Sequence, residues 1–401
     1  MSSFDWSSVY AGRAQRMGAS EIRELLKLLE QPDIISFAGG IPDPDLFPIE
    51  AFQHAYGAAL GTDLSAKQAL QYSVSDGSPE LRSWIADYMG RLGVPCAPKH
   101  ILITNGSQQG LEFLGRLFLS PGDPALVAWP TYLGALQAFN AYEPTYVRLD
   151  PRGNAPAPAL PDSGGRAKFA YIVPDFANPT GETLTLAERR AVLARAEAAG
   201  AAVIEDAAYS ELRYEGEPLP SLLALDAAAK GGIDNSRVIF CGTFSKTLSP
   251  GLRVGWVCAS ATLIEKLVLV KQASDLHSAT LNQMAIARVA VAVFDDQVKK
   301  VRAAYRARRD AMLDALGRHM PKGFRWSRPE GGMFVWVEGP PGLDGRALLE
   351  RAVKRERVAF VPGQAFFADG SGSETMRLSF SLAEPDEIEE GVARLARAIA
   401  G

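Results

Sequence analysis

The chain has 401 residues, of which 47 % are hydrophobic and 22 % charged, the balance of a globular protein with a large core. Its 42 basic and 46 acidic residues give a net charge of −4, so no global basic field favours nucleic acid or an anionic membrane. No run approaches the roughly 18 apolar residues of a transmembrane helix, and the first residues lack the basic-then-apolar order of a signal peptide.

The predicted elements begin with an amphipathic helix over residues 19–30, with Ser20 as a possible N-cap. From about residue 100 to 260, short apolar runs alternate with helical patterns, which favours a mainly parallel sheet covered by helices. A long helix over 281–316, shorter strands and a closing helix near 384–400 then indicate a smaller α+β domain. The predicted strands of the larger sheet are Ile101–Thr104, Ala125–Ala128, Phe169–Val173, Ala202–Glu205, Val238–Cys241 and Val254–Cys258.

Lys246, just past the predicted strand Val238–Cys241, is the residue most informative about function. The hydroxyls of Thr243 and Ser245 precede it, and Arg253 follows seven residues later. Such a segment suits pyridoxal 5'-phosphate (PLP), whose aldehyde needs an amine and whose phosphate needs hydroxyls and a cation. A lysine at the end of a buried strand is partly shielded, which lowers its pKa and lets it carry protons. Taken alone, the lysine would more often be an ordinary surface residue.

The segment Ile101–Gln109 reads as a strand, a glycine turn and a helix start, and is a candidate phosphate site. Backbone N–H groups at a helix N-terminus favour an anion. Ser107 could add a hydroxyl and Gln108 an amide, while Arg253 would neutralise the same phosphate. The alternative is that Asn-Gly-Ser is an ordinary turn and cap.

Two further segments could hold the ring of the cofactor. Asp206 ends a strand predicted to be buried, so its charge needs a partner, which the protonated pyridine nitrogen would supply. Tyr209 and Asn178 could bond the phenolic oxygen O3′, and Tyr132 could stack on the ring face. The alternatives are helix capping by Asp206 and core packing by the two tyrosines.

Arg377 occupies an inward position of a predicted apolar strand, where a guanidinium needs an anion. The α-carboxylate of an amino acid would fit through two parallel hydrogen bonds. A structural Asp or Glu partner is the alternative.

Taken in order, these segments resemble the aspartate aminotransferase superfamily of PLP enzymes (fold type I, class I and II aminotransferases) over nearly the whole chain. The resemblance implies an α/β fold. A large PLP-binding domain over 49–285 would hold a mainly parallel seven-stranded sheet between helices. Segments 1–48 and 286–401 would form a smaller α+β domain. The matching motifs are Gly106-Ser107, Asn178-Pro-Thr-Gly181, Asp206-x-x-Tyr209, Ser245-Lys246 with Arg253, and Arg377.

The resemblance also implies a role for each matching residue. Lys246 would form a Schiff base with PLP and shuttle a proton between the substrate's α-carbon and C4′ of the cofactor. Asp206 would bond the ring nitrogen, and Asn178 and Tyr209 would bond O3′. Arg377 would hold the substrate's α-carboxylate, near Asn178.

A tyrosine at position 72 matches one that reaches the cofactor phosphate of the partner subunit. Tyr72 therefore implies a homodimer with shared active sites. The residues implied to hold the phosphate within one chain are Gly106, Ser107, Gln108, Thr243, Ser245 and Arg253.

A narrower resemblance, to the α-aminoadipate/kynurenine aminotransferases, rests on Ser36–Pro48, Gly106–Gln109 and Ala273–His277. Members of that subgroup are often broad in substrate and use 2-oxoglutarate as amino acceptor. The resemblance implies that Gly40 and Arg23 belong to the substrate site, with Arg23 meeting a side-chain carboxylate. Arg23 could instead lie on the solvated face of its predicted helix.

The sequence thus predicts a homodimeric PLP aminotransferase with a ping-pong mechanism that acts on dicarboxylic, aromatic or branched amino acids. Elimination or decarboxylation on the same scaffold is an alternative, because the residues that hold PLP do not choose the bond that breaks. A PLP-sensing transcriptional regulator, which would carry an N-terminal DNA-binding module, is disfavoured because the predicted catalytic domain begins almost at residue 1 and the chain is acidic. Three cysteines without CxxC spacing predict a reduced, cytoplasmic setting, and four scattered histidines predict no metal site.

Overall fold

The computed structural model describes residues 4–16, 33–151 and 166–401. The predicted helix over 19–30, including Arg23, lies outside these ranges. Within them, no helix is both long enough and apolar enough to cross a bilayer. The α-helices are α1 Ile49–Leu60, α2 Asp63–Leu70, α3 Pro79–Arg91, α4 Ser107–Phe118, α5 Leu133–Asn140, α6 Leu186–Ala198, α7 Leu222–Lys230, α8 Ala261–Gln272, α9 Thr280–His319, α10 Gly345–Arg351 and α11 Pro385–Ala400.

The strands carry most of the positions predicted from the apolar runs, with ends that shift by one or two residues. They are β1 Ile35–Ser36, β2 Ile101–Thr104, β3 Pro124–Ala128, β4 Thr145–Leu149, β5 Phe169–Ile172, β6 Ala202–Asp206, β7 Val238–Thr243, β8 Gly255–Cys258, β9 Arg325–Trp326, β10 Phe334–Glu338, β11 Val358–Ala359, β12 Val361–Pro362 and β13 Thr375–Ser379.

Among the described residues, seven strands form the central sheet in the order β2-β8-β7-β6-β5-β3-β4. All neighbours pair in parallel except β8, which is antiparallel to both β2 and β7. This confirms the predicted mainly parallel sheet. Strands such as β5 are buried along their whole length, which explains their continuous apolar sequence.

The topology brings the proposed functional segments to one edge of the sheet. The carboxyl ends of β2, β3, β5, β6 and β7 lie at this edge, where ligands bind in open α/β sheets. Strand β8 runs the opposite way, so its first residue, Gly255, pairs with both Thr104 and Thr243. Arg253 therefore reaches the same edge from the start of a strand.

A smaller antiparallel sheet, in the order β12-β13-β10-β9, carries Arg377 on β13 opposite Trp336 on β10. Strand β1 pairs with β11, which ties the segment after residue 33 to the C-terminal part of the chain. The 40-residue helix α9 packs against α1 and α11. The predicted boundary at 285/286 falls within α9, and the division of the chain into domains stays a prediction.

Candidate active site

Lys246 lies three residues after β7, at the sheet edge where the strand ends converge. Its Nζ donates a hydrogen bond to the Gly40 carbonyl (3.0 Å) and lies 5.9 Å from the centre of the Tyr209 ring. Burial, together with the positive charges of Arg377 and Arg253, lowers the pKa of Lys246 to about 8. A neutral amine, the form that attacks an aldehyde, is therefore accessible near pH 8.

Asp206, the last residue of β6, is only 3 % exposed. The Tyr171 hydroxyl donates to its Oδ2 at 2.8 Å, whereas Oδ1 has no hydrogen-bond partner among the described residues. Burial raises the pKa of Asp206 to about 6, although the bond from Tyr171 favours the ionised form. Turns rather than a helix follow Asp206, so helix capping does not explain it.

Three buried side chains from separate elements form a hydrogen-bonded chain beside Lys246. The Nδ2 of Asn178, in the loop after β5, donates to the Tyr209 hydroxyl at 3.2 Å. The Nη1 of Arg377 donates to Asn178 Oδ1 at 2.9 Å. The residues predicted to contact O3′ and the substrate carboxylate are thus adjacent.

Arg377 is 1 % exposed, and burial lowers its pKa to about 10. Its Nη2 donates to the Ala38 carbonyl at 2.6 Å, and its Nε has no hydrogen-bond partner in the part of the chain that the structure describes. No carboxylate within the described ranges pairs with the guanidinium, which instead lies 4.3 Å from the Phe334 ring centre and 5.1 Å from that of Phe366. A buried cation in this state is costly, and an anionic ligand would offset the cost.

The turn at the start of α4 requires glycine at position 106 and, on the adjacent strand β8, at position 255. Gly106 has a φ of +77°, and a Cβ there would lie 2.4 Å from Nη2 of Arg253. A Cβ at Gly255 would lie 2.7 Å from the backbone nitrogen of Ser107. Arg253 Nη2 also donates to the Asn105 carbonyl at 3.3 Å. The close approach holds a guanidinium beside the helix N-terminus, where both favour an anion.

Two hydroxyls extend this polar turn from the end of β7. The Oγ1 of Thr243 donates to Ser245 Oγ at 2.8 Å and accepts from the Ser245 backbone N–H at 3.1 Å. The Ser245 hydroxyl keeps its own proton for a further bond.

Gln108 and Tyr132 interact with each other and with α5. The Gln108 amide donates to the Gly134 carbonyl at 2.6 Å, and the Tyr132 hydroxyl donates to Gln108 Oε1 at 3.4 Å. The Tyr132 ring lies so close to Gly134 that a Cβ there would come within 2.5 Å of it. A phosphate contact of Gln108 and ring stacking by Tyr132 stay predictions.

The family model "Aminotransferase class I and II" matches residues 33–395. The chain belongs to the class I and II aminotransferases. A 2-aminoadipate transaminase of Thermus thermophilus is 43 % identical, covering 100 % of this chain and 99 % of that protein. Aromatic-amino-acid aminotransferase 1 of Thermococcus litoralis is 42 % identical, covering 98 % and 95 % respectively. The crystal structure of an α-aminoadipate aminotransferase from Thermus thermophilus, complexed with N-(5'-phosphopyridoxyl)-L-leucine, has a TM-score of 0.89 at 42 % identity and covers 99 % of both chains.

This aminotransferase is PLP-dependent, as its family and the phosphopyridoxyl group in that related structure indicate. Its residues fit the cofactor. The unpartnered Oδ1 of Asp206 can accept a bond from a protonated ring nitrogen. The amine of Lys246 is available for the aldehyde, and the turn at Gly106 offers N–H groups and a cation for the phosphate.

Three predicted residues of the aminotransferase site remain, namely Gly40, Tyr72 and Arg23. Gly40 bonds Lys246, and a Cβ on it would come within 2.6 Å of the Phe334 ring. Tyr72 is 79 % exposed, and its ring meets His277 edge-on at 5.7 Å. Arg23 lies outside the described residues, and its role stays a prediction.

Sequence reasoning missed Tyr171 and Phe334. Tyr171 bonds Asp206 from the neighbouring strand, and Phe334 packs on Arg377, Tyr209 and Gly40 together. The one available signal for Tyr171 was its hydroxyl within the otherwise apolar run Phe169–Ile172, because a buried tyrosine usually has a hydrogen-bond partner.

Proposed function

We propose that this aminotransferase transfers the α-amino group of a dicarboxylic, aromatic or branched amino acid to a 2-oxo acid, 2-oxoglutarate among them, by a ping-pong mechanism. The single observation that supports it best is Arg377, a buried guanidinium with an unpartnered Nε close enough to lower the pKa of Lys246. Amino acids and 2-oxo acids share one carboxylate next to the reacting carbon. The names of the two relatives, for 2-aminoadipate and for aromatic amino acids, support the dicarboxylic and aromatic parts of this substrate range.

The residues around the cofactor ring would have different chemical roles. Bound PLP supplies an electron sink for the charge that develops on the substrate's α-carbon. Asp206 would keep the ring nitrogen protonated, which strengthens that sink. Asn178 and Tyr209, already bonded to each other, would donate to O3′.

Lys246 would take the proton from the α-carbon and deliver it to C4′. With a pKa of about 8, the amine is partly neutral and partly charged near neutral pH, so it can act as base and as acid. Arg377 would hold the carboxylate so that the α-proton faces Lys246. Because donor and acceptor would use the same clamp and the same amine, they must bind in turn, which is the basis for the ping-pong order.

The phosphate would bind at the sheet edge between α4 and the start of β8. The backbone N–H groups of the helix N-terminus and the guanidinium of Arg253 favour a doubly charged anion there. The proposed contacts are Gly106, Ser107, Gln108, Thr243, Ser245 and Arg253.

We also propose a cytoplasmic homodimer with shared active sites. Tyr72 is exposed together with the apolar side chains of Leu70, Val74 and Leu276, and the Gln71 carbonyl accepts a bond from Thr280 at 3.3 Å. A second copy of the chain would cover this surface and place Tyr72 beside the partner's phosphate. The cytoplasmic setting rests on the free thiols of the three cysteines.

A Lys246→Ala variant tests the proposed function, with the two half-reactions followed by absorbance for a panel of amino acids and 2-oxoglutarate. Loss of the proton carrier should slow each half-reaction by about 10²- to 10⁴-fold. Lys299→Ala, which removes an exposed lysine paired with Asp296, should retain full activity. Normal multiple turnover by Lys246→Ala would overturn the assignment. Release of ammonia by the wild type in the absence of any oxo acid would favour an elimination reaction over transamination.

A further inference from the structure

A buried polar network lies behind the start of α4, and none of the proposed chemical steps uses it. Lys271, near the end of α8, is 0 % exposed. Its Nζ lies 3.0 Å from both carboxylate oxygens of Asp275, and donates to Gln109 Oε1 at 3.0 Å and to Ser278 Oγ at 3.2 Å. A buried ammonium requires acceptors of this kind, and here three residues supply them.

Asp275 connects this lysine to the turn before α4. Its Oδ2 accepts bonds from Asn105 Nδ2 at 2.5 Å and from Gln109 Nε2 at 2.8 Å. The Asn105 backbone N–H donates to Gln109 Oε1 at 2.9 Å. Hydrogen bonds to Asp275 and Gln109 therefore fix both the side chain and the backbone of Asn105.

Asn105 also contacts Arg253, the cation proposed to bind the phosphate. The Asn105 carbonyl accepts a hydrogen bond from Arg253 Nη2. The next residue is Gly106, whose positive φ turns the chain into the helix N-terminus. Gly255 of β8 also packs directly against the Ser107 backbone. The turn is thus held by contacts with β8, with Arg253 and with the network.

We propose that Lys271 and Asp275 are positioning residues for the phosphate of the cofactor. They fix Asn105, and through it they orient the N–H groups at Gly106 and Ser107 and the guanidinium of Arg253. They act without touching cofactor or substrate. This inference rests on the proposed placement of the phosphate at this turn.

The test compares PLP with pyridoxal, which has the same ring and aldehyde but no phosphate. Each ligand is titrated into the full-length protein freed of cofactor, and the ratio of the two dissociation constants reports the contribution of the phosphate. Asp275→Asn keeps the shape of the side chain but leaves Lys271 without its counter-charge. The advantage of PLP over pyridoxal should fall about tenfold, while the affinity for pyridoxal stays unchanged.

Asp226→Asn is the matched control. Asp226 is also a buried aspartate, and it accepts bonds from Ser236 Oγ at 2.7 Å and from the Arg237 backbone at 2.8 Å. This variant should lose stability without any change in the ratio. An equal loss of affinity for both ligands in Asp275→Asn would mean that the network only stabilises the fold, and would overturn the proposal.

Arg253→Ala separates this inference from the proposed function. If Arg253→Ala lowers the ratio and Asp275→Asn does not, the positioning role is wrong. If neither variant changes the ratio, the phosphate binds elsewhere and the proposed site fails. Should Asp275→Asn not fold, Gln109→Met takes its place with the same expected result, because it removes the bonds of the Gln109 amide to Asn105, Asp275 and Lys271 at similar volume.

Discussion

Asp206 is an ionisable side chain that β6 carries into the interior with one oxygen unpaired. A protonated ring nitrogen would satisfy that oxygen, so the same feature that suits the cofactor destabilises the protein without it. Burial raises the pKa of Asp206 from its ordinary value of 3.8 to about 6, so the folded state binds its proton more tightly than the unfolded state. The contribution of Asp206 to stability is therefore greatest below pH 3.8, falls between pH 3.8 and 6, and stays low above pH 6.

We therefore expect Asp206→Asn, in the protein without cofactor, to be more stable than the wild type at pH 7. The difference in the free energy of unfolding should be on the order of 3 kcal/mol, and should shrink toward zero near pH 4 because both side chains are then neutral. Denaturant unfolding at several pH values measures it.

Binding of PLP should make the wild type more stable than Asp206→Asn, because only the carboxylate of Asp206 in the wild type can pair with the protonated ring nitrogen. Asp226→Asn, which replaces the carboxylate that accepts bonds from Ser236 and Arg237 by a neutral amide and so weakens both bonds, should be less stable than the wild type at pH 7. A stability difference between Asp206→Asn and the wild type that does not vary with pH would show that the buried charge is not its cause.

At the scale of elements, the contact between α4 and β8 sets the geometry of the phosphate turn. A Cβ at Gly255 would come within 2.8 Å of the Gly106 carbonyl carbon and the Gly242 carbonyl oxygen, besides the Ser107 nitrogen. These are backbone atoms, which cannot rotate away. Gly255→Ala should therefore separate the strand from the helix start, lower the free energy of unfolding by about 1–3 kcal/mol, and weaken PLP binding in a cofactor titration.

Gly57→Ala is the control for this substitution. Gly57 lies within α1 and has nothing within 4 Å of the added Cβ, so alanine should stabilise the helix by about 0.5–1 kcal/mol and leave PLP affinity unchanged. Unaltered PLP affinity in Gly255→Ala would mean that the phosphate does not depend on this contact.

The elements also show what the sequence could predict. Strands buried on both faces, such as β5 and β7, have continuous apolar sequences and were predicted within two residues of their ends. Strand β4 was missed, because an edge strand with exposed Thr145 and Arg148 lacks such a run.

The polar segments after the strands were found because they carry the cofactor's chemistry. The bonds of Asp275 to Asn105 and Gln109 were not predicted. They join residues more than 160 positions apart through a packing arrangement that local sequence does not encode.

At the scale of the whole molecule, the proposed shared active site would make one chain insufficient. Tyr72 lies on the surface, on the segment that packs against His277 and Thr280, whereas Lys246 lies at the sheet edge. In a symmetric dimer, each site would combine Lys246 of one chain with Tyr72 of the other. A single chain would then contain no complete active site.

A heterodimer of Tyr72→Phe with Lys246→Ala tests this arrangement directly. We expect each homodimeric variant to be impaired, Tyr72→Phe by about tenfold through the loss of one bond to a charged group. If Tyr72 serves the partner, the heterodimer purified through two affinity tags contains one site with both residues intact. Its activity should rise to about half that of the wild type, matching a heterodimer of wild type with Lys246→Ala. If Tyr72 acted within its own chain, the remaining Lys246 would share a site with phenylalanine, and activity would stay below that of Tyr72→Phe. A monomer in sedimentation would reject the shared site altogether.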